Sequence, residues 1–222
     1  MTLTGPERAV DPVLRDRVET LLGSYPDGAL PIVQAGDPVL RAPAAPYTGQ
    51  LGDLLEDLLA WMRATMLAAP GVGLAAPQVG VGLALAVVHD AGSTDRDDPR
   101  ERVPVPHRTL VNPRYRPVAG GQDDRVSFYE GCLSVAGYQA VVARYRSVEL
   151  TCEDESGNPV HEVLTGWPAR IVQHETDHLG GVLYLDRAET RSLTSTDNLA
   201  RYWARDPAPH RAGAVLGFEV AP

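Results

Sequence analysis

Gln173-His174-Glu175-Thr176-Asp177-His178-Leu179 is the stretch from which the rest of the chain is placed. Two histidines four residues apart project from one face of a helix and can share one tetrahedral metal ion. The glutamate beside the first reaches a water that such an ion activates. Only six histidines occur among 222 residues, which weighs against the plain alternative of two surface histidines flanked by acids. The helix has a start and a stop: Pro168 suits its first turn, and Gly180-Gly181 ends it.

Outward from this helix the pattern is mixed. Leu51, Leu54, Leu55, Leu58, Leu59, Met62 and Met66 follow the i, i+3, i+4, i+7 rule, which predicts a second helix over 50–68 with a core-facing stripe. Pro70 ends it, a glycine-rich loop follows at 71–80, and Leu83 to Val88 reads as a buried strand. Short strand-like pieces recur near 109–112, 125–129, 140–143, 147–153 and 159–164, with turns between them. The expected class is α+β: short antiparallel strands packed around a core helix that carries the His-Glu-x-x-His metal motif. Residues 90–108, centred on Asp95 to Arg102, read as an exposed loop. Residues 194–205 suit a helix, and the Pro-, Ala- and Gly-rich stretch beyond 205 suggests little order. The chain therefore divides into a peripheral extension over 1–30, a catalytic domain over 31–190, and a C-terminal helix with a flexible tail over 191–222. Within the extension, 12–22 is amphipathic and Gly23 to Gly28 is turn material.

Composition narrows the function classes. The net charge of -9 argues against direct nucleic-acid binding. Neither a run of about 20 apolar residues nor an apolar leader near Pro6, Glu7, Arg8 and Asp11 is present, so a cytoplasmic, non-membrane protein is expected. Two cysteines do not make a disulfide framework in a chain of this length. All 20 basic residues are arginine, a bias of GC-rich coding more than of chemistry.

A catalytic site needs a third ligand and an open position. A third histidine ten residues after the first is excluded, because Tyr184 stands there. Of the downstream acids, Glu189 lies too close and Glu219 sits in the tail. Cys132, within Glu130-Gly131-Cys132-Leu133-Ser134, remains, against the plain reading of a buried structural cysteine. Cys152 fits that plain reading better, since Val148, Leu150 and Cys152 alternate onto one strand face.

Three stretches in order, Gly71-Val72-Gly73-Leu74-Ala75-Ala76-Pro77-Gln78, Glu130 to Ser134 and Gln173 to Leu179, resemble the three signatures of the peptide deformylases. The similarity runs from about Pro31 to Ala188 and suggests a bacterial, actinobacterial type, in keeping with the absence of lysine. The resemblance implies removal of the formyl group from the N-terminal formyl-methionine of newly made polypeptides. It implies one divalent metal per chain on Cys132, His174 and His178, Fe2+ in the cell, with Zn2+, Ni2+ or Co2+ as alternatives. Glu175 would take the proton of the activated water and hand it to the departing amine. Gln78 and the backbone N–H of Leu133 would stabilise the oxyanion.

Further roles follow by the same resemblance. Gly71 and Gly73 would bring bare backbone alongside the substrate peptide, although both read equally well as turn glycines. Glu130 would steady the site, and Arg144 with Asp177 would form a supporting ion pair. From helix spacing and not from the resemblance, Trp167 and Arg170, seven and four residues before His174, share its face if the helix starts early enough. They would then line the pocket for the methionine side chain, with plain packing of an aromatic and an arginine at the helix start as the alternative. Two departures stand out: Gln139 lies nearest to where an arginine holds the substrate backbone, and Ala136 lies where a proline is common, so that a looser loop is expected. The partners expected are nascent formyl-methionine N-termini and a transient ribosome contact. Two competitors change the task. A structural zinc module has no need of Glu175 and lacks a fourth Cys or His nearby, whereas a hydrolase of another formamide is left open.

Overall fold

In the computed structural model, which describes residues 10–26 and 28–221, helices pack on and between two antiparallel sheets. Expectations for residues 1–9 and for Asp27 in the N-terminal turn lie outside the described residues. Strands β1 (Gly73–Ala75), β2 (Leu85–Asp90), β3 (Val105–Pro117), β6 (Ser147–Glu153) and β7 (Pro159–Thr165) form a sheet in the order β1-β2-β3-β6-β7. Strands β4 (Arg125–Cys132), β5 (Val135–Tyr145) and β8 (Ala188–Ser195) form a second, in the order β4-β5-β8.

The apolar run at 83–88 is continuous because β2 is covered on both faces. Leu85 and Val87 point to the cluster built by helix α2 (Leu54–Ala68), while Ala86 and Val88 join Ile171, Val172 and Leu179 of helix α3 (Trp167–Leu179). The stripe on α2 is wholly buried, with Leu58, Met62 and Met66 at 0% exposure. Each such side chain contributes about 1.5–3 kcal/mol of burial. The opposite side of α3 faces the second sheet, where Gln173 closes a two-way bond with the backbone of Tyr145 (2.8 and 3.1 Å). A helix gripped by two sheets cannot slide, and this fixes the side chains of its last two turns.

Gly166, ahead of α3, has φ +66°, and a Cβ there would lie 2.9 Å from the Arg100 carbonyl oxygen. Only glycine lets the 91–104 loop pass so close to the helix start. That loop is largely exposed, as expected, and departs from expectation in how it is anchored. Asp90 and Asp98 are only 2% and 8% exposed, each held by an arginine of the same segment, and β3 begins at Val105. Asp95, Asp97 and Glu101 stay exposed, so the charged run is a surface segment pinned at Asp98 by its pairing with Arg100.

At the two ends of the chain the amphipathic stretch at 12–22 and the helical reading of 194–205 correspond to helices, and the difference from expectation lies beyond 205. Helix α1 (Pro12–Gly23), capped by Asp11 accepting from the Leu14 N–H at 3.0 Å, buries Val18 and Leu22 against α2. Downstream of β8 come α4 (Thr196–Asn198), a π-helical turn at Leu199–Trp203 and α5 (His210–Leu216). The stretch beyond 205 is therefore not featureless: Ala212 and Gly213 of α5 are buried, and the Ala221 N–H donates to Ser127 Oγ at 3.0 Å. Cys132 and Cys152 are both free thiols. No helix among the described residues is long and apolar enough to cross a membrane.

Candidate metal centre

The spacing His174 to His178 places both imidazoles on one face of α3, with ring centroids 4.9 Å apart. The β4–β5 turn brings Cys132 to the same point, its Sγ 3.3 Å from His178 Nε2. One ligand atom from each of the three residues lies within 4.8 Å of the others, a grouping that can hold a metal ion. A thiolate with two imidazoles is a donor set suited to divalent transition metals. The buried Nδ1 of His178 and Oε2 of Glu175 have no hydrogen-bond partner, and both belong to this constellation. The residues fit a bound metal.

His174 is oriented from behind. Its Nδ1 lies 3.1 Å from Glu130 Oε2, which turns Nε2 towards the cluster. Burial opposes the charged ring, but hydrogen bonds with Cys132 and Glu130 outweigh it and hold the His174 pKa at about 10. For His178 burial wins, helped by the His174 charge, and its pKa falls well below the usual range. The Cys132 sulfur also accepts from the Ser134 N–H at 3.4 Å and from Gln78 Nε2 at 3.6 Å.

Glu130 is the hub of a buried charge network. Arg144 donates to it through Nε at 2.6 Å and Nη2 at 2.9 Å, and Arg170 donates through Nη1. Burial alone would raise the Glu130 pKa, but the two guanidinium groups hold it well below the carboxylate range. Arg144 also reaches Asp177 at 2.7 Å, so the expected ion pair is present. Asp177 in turn binds the Tyr115 hydroxyl at 2.9 Å and Arg187 at 2.8 Å. Charges this deep are tolerable only because nearly every lone pair and proton is matched.

A cavity of about 410 Å³ opens over the cluster. Of the site residues read from sequence it is lined by Gly71, Gly73, Gln78, Glu130, Cys132, Leu133, Gln139, Trp167, Arg170, His174 and Glu175, whereas His178 is buried and does not line it. Glu175 is 4% exposed, and burial lifts its pKa to about 7 against the pull of His174 and Arg144. A Cβ at Gly73 would collide with Glu175, so the missing side chain is what lets the carboxylate stand there. Gln78 is 1% exposed. Its Oε1 accepts from the Ala75 N–H at 2.8 Å, which points Nε2 at Ser134 Oγ (3.3 Å) and Cys132.

Two placements refine the sequence reading. Arg170 lines the cavity, but its guanidinium is engaged with Glu130 and with the carbonyls of Val126 (2.6 Å) and Val142 (3.0 Å). The Trp167 ring lies beneath Arg100, 5.4 Å from its centroid, and Arg100 is held in place by Asp98 at 2.8 Å. Arg100, Tyr129, Tyr138 and Thr196 also line the cavity and were not read from sequence. They come from three distant segments with no shared periodicity. The loop at Ala136 is tied down, because its N–H donates to Gln34 Oε1 at 3.3 Å.

The Polypeptide deformylase family profile matches residues 29–193 of the chain. The chain is 58% identical over 216 residues to "Peptide deformylase 3" of Streptomyces avermitilis, covering 96% of this chain and 94% of that protein. It is 38% identical over 183 residues to the mitochondrial peptide deformylase of Homo sapiens, covering 78% and 72%. Among solved structures, the Met-Ala-Ser bound class I type b peptide deformylase of Acinetobacter baumannii superposes with a TM-score of 0.63 at 34% identity, over 72% of this chain and 98% of that one. An actinonin complex of the Synechococcus elongatus enzyme gives 0.60 at 35%, over 86% and 87%.

Proposed function

The chain belongs to the polypeptide deformylase family, and from that premise we propose how its residues remove the formyl group from the N-terminal formyl-methionine of new polypeptides. Cys132, His174 and His178 hold the metal. When bound, a divalent metal supplies Lewis-acid activation, lowering the pKa of a water and polarising the formyl carbonyl. Glu175, buried and with Oε2 unpaired, takes the proton of the attacking water and returns it to the methionine nitrogen as the C–N bond breaks. Gln78 Nε2 and the Leu133 N–H receive the negative charge that forms on the formyl oxygen. Their value lies in being fixed beforehand, and Gln78 is fixed by its bond to Ala75.

The substrate chain lies along Gly71 and Gly73, whose lack of side chains leaves backbone free to pair with it. Trp167 and Arg170 bound the space for the methionine side chain. We take residues 31–190 as the catalytic domain, with 1–30 as an N-terminal extension and 191–222 as a C-terminal appendage. We place the enzyme in the cytoplasm, in transient contact with the ribosome, with ferrous iron as its metal; zinc, nickel and cobalt suit the same donors.

What supports this reading above all is the convergence of Gln78, Cys132, His174 and Glu175 on one cavity. Its test is turnover of formyl-Met-Ala-Ser by anaerobically purified protein, with metal analysis of the same sample. About one metal per chain with turnover is expected. A loaded protein inert on this peptide but active on another formamide would overturn the substrate assignment. Iron-loaded activity should persist under argon and fade in air; equal persistence would remove iron.

A further inference from the structure

Residues 32–36 run as a strap between the two elements that hold the proposed oxyanion donors. The Val33 N–H donates to the Gln78 carbonyl at 2.8 Å, and the Ala35 N–H donates to the Ser134 carbonyl at 2.7 Å. Between them stands Gln34. Its Nε2 donates to the carbonyls of Leu133 at 3.1 Å and Ile32 at 3.2 Å, while its Oε1 accepts from the Ala136 N–H at 3.3 Å. One planar amide therefore spans the turn between β4 and β5. The ladder does not fix this turn by itself, because the pairing register shifts between Gly131 and Cys132.

We propose that Gln34 is a positioning residue for deformylation. By holding the Leu133 carbonyl and the Ala136 N–H at once, it sets the aim of the Leu133 N–H relative to Gln78. The inference rests on the reading of Gln78 and Leu133 as oxyanion donors. Preorganised donors lose their effect when their aim drifts, even if the fold is intact. Gln34 is exposed, so its bonds add little to folding, and its effect belongs in the rate.

The test is a double-mutant cycle on metal-loaded protein, read as kcat, KM, metal content and Tm. Gln34→Ala should lower kcat about tenfold, less than the roughly 10²–10³ for deleting a donor outright, with KM, metal content and Tm unchanged. Gln34→Glu keeps the acceptor for Ala136 but loses both donors, and should lose a similar factor. Ala136→Pro removes the N–H that Gln34 binds; in that background Gln34→Ala should cost less than threefold. Native kcat in Gln34→Ala, an equal loss in both backgrounds, or a loss carried by KM and Tm would each overturn the proposal. Gln78→Ala run in parallel separates the two layers. If Gln78→Ala is impaired while Gln34→Ala is native, only the tether fails; if both keep kcat, the oxyanion reading itself fails.

Discussion

Gly73→Ala tests the geometry of the centre with one added methyl group. Gly73 lies in β1 without a positive φ, so alanine meets no backbone penalty there. What it meets is Glu175: the new Cβ would stand 2.6 Å from Cδ and 2.7 Å from Cγ, where 3.4–4 Å is ordinary contact. Oε1 of Glu175 lies closer still, so relief needs a relative shift of about 1 Å between β1 and Glu175, and α3 is too firmly held by both sheets to supply it cheaply. Overpacking of this kind costs about 1–3 kcal/mol, which a folded domain of this size survives. A displacement near 1 Å of a reacting group costs on the order of 10²-fold in rate. The expected result is a fall in kcat on formyl-Met-Ala-Ser of about that size, with metal content unchanged. Gly71→Ala is the comparison, because its Cβ would press only on the end of the Leu133 side chain, at 2.8 Å from Cδ1. That methyl can rotate away, so the loss should be under about tenfold. Native kcat in Gly73→Ala, or a larger loss in Gly71→Ala, would refute the argument that the glycine exists to seat the carboxylate.

Three further outcomes follow from the same geometry. Glu175→Gln should keep its metal and lose about 10²–10⁴-fold in kcat; retained turnover would remove Glu175 from the proton path. Arg144→Met leaves Glu130 and Asp177 short of a partner at 5% and 7% exposure, and should cost about 3–5 kcal/mol in denaturant unfolding and about 10–100-fold in metal affinity. A cost under 1 kcal/mol would show the network to be dispensable. Asp98 is held down to about 2 from 3.8 chiefly by its hydrogen bond with Arg100, so its contribution is complete above about pH 4 and is lost as pH falls towards 2. Trp167 emission should report release of Arg100 in that window, and Asp98→Asn should shift it at neutral pH; an Asn variant indistinguishable from the native protein at every pH would discard the clamp.

Where local period carried the information, the sequence was readable. The α2 stripe and the bounds of α3 repeat at helical spacing, and every stripe residue is buried. Strands β1 and β8 were missed for definite reasons. β1 is three residues inside a glycine-rich loop, too short for alternation. In β8 the inward residues are Ser192 and Thr194, and Ser192 Oγ replaces a ladder bond by accepting from the Val141 N–H at 2.7 Å. An inward face made of hydroxyls gives no hydropathy signal. In the 91–104 loop Asp95, Asp97 and Glu101 are solvated as their sequence suggests, whereas pairing with Arg100 turns Asp98 inward.

The metal centre divides along the same line. Its proposed chemistry is local: five residues of α3 and one cysteine supply the candidate donors and the candidate base. Its tuning is not, because the two histidines differ in what stands behind them. His174 is backed by Glu130, whereas His178 Nδ1 has no partner. That asymmetry comes from β-pairing, which sets Glu130 opposite Ala140 and Arg144 opposite Val126, so that both charges fall an even number of residues along one face of the hairpin. A slip of one residue would put the two charges on opposite faces of the hairpin, so that they could not meet at α3, while leaving every motif in the sequence intact. The register of β4 on β5 is therefore as much a part of the metal site as its ligands. Substitutions that disturb it, far from the cavity, should be felt first in metal affinity and only then in the reaction.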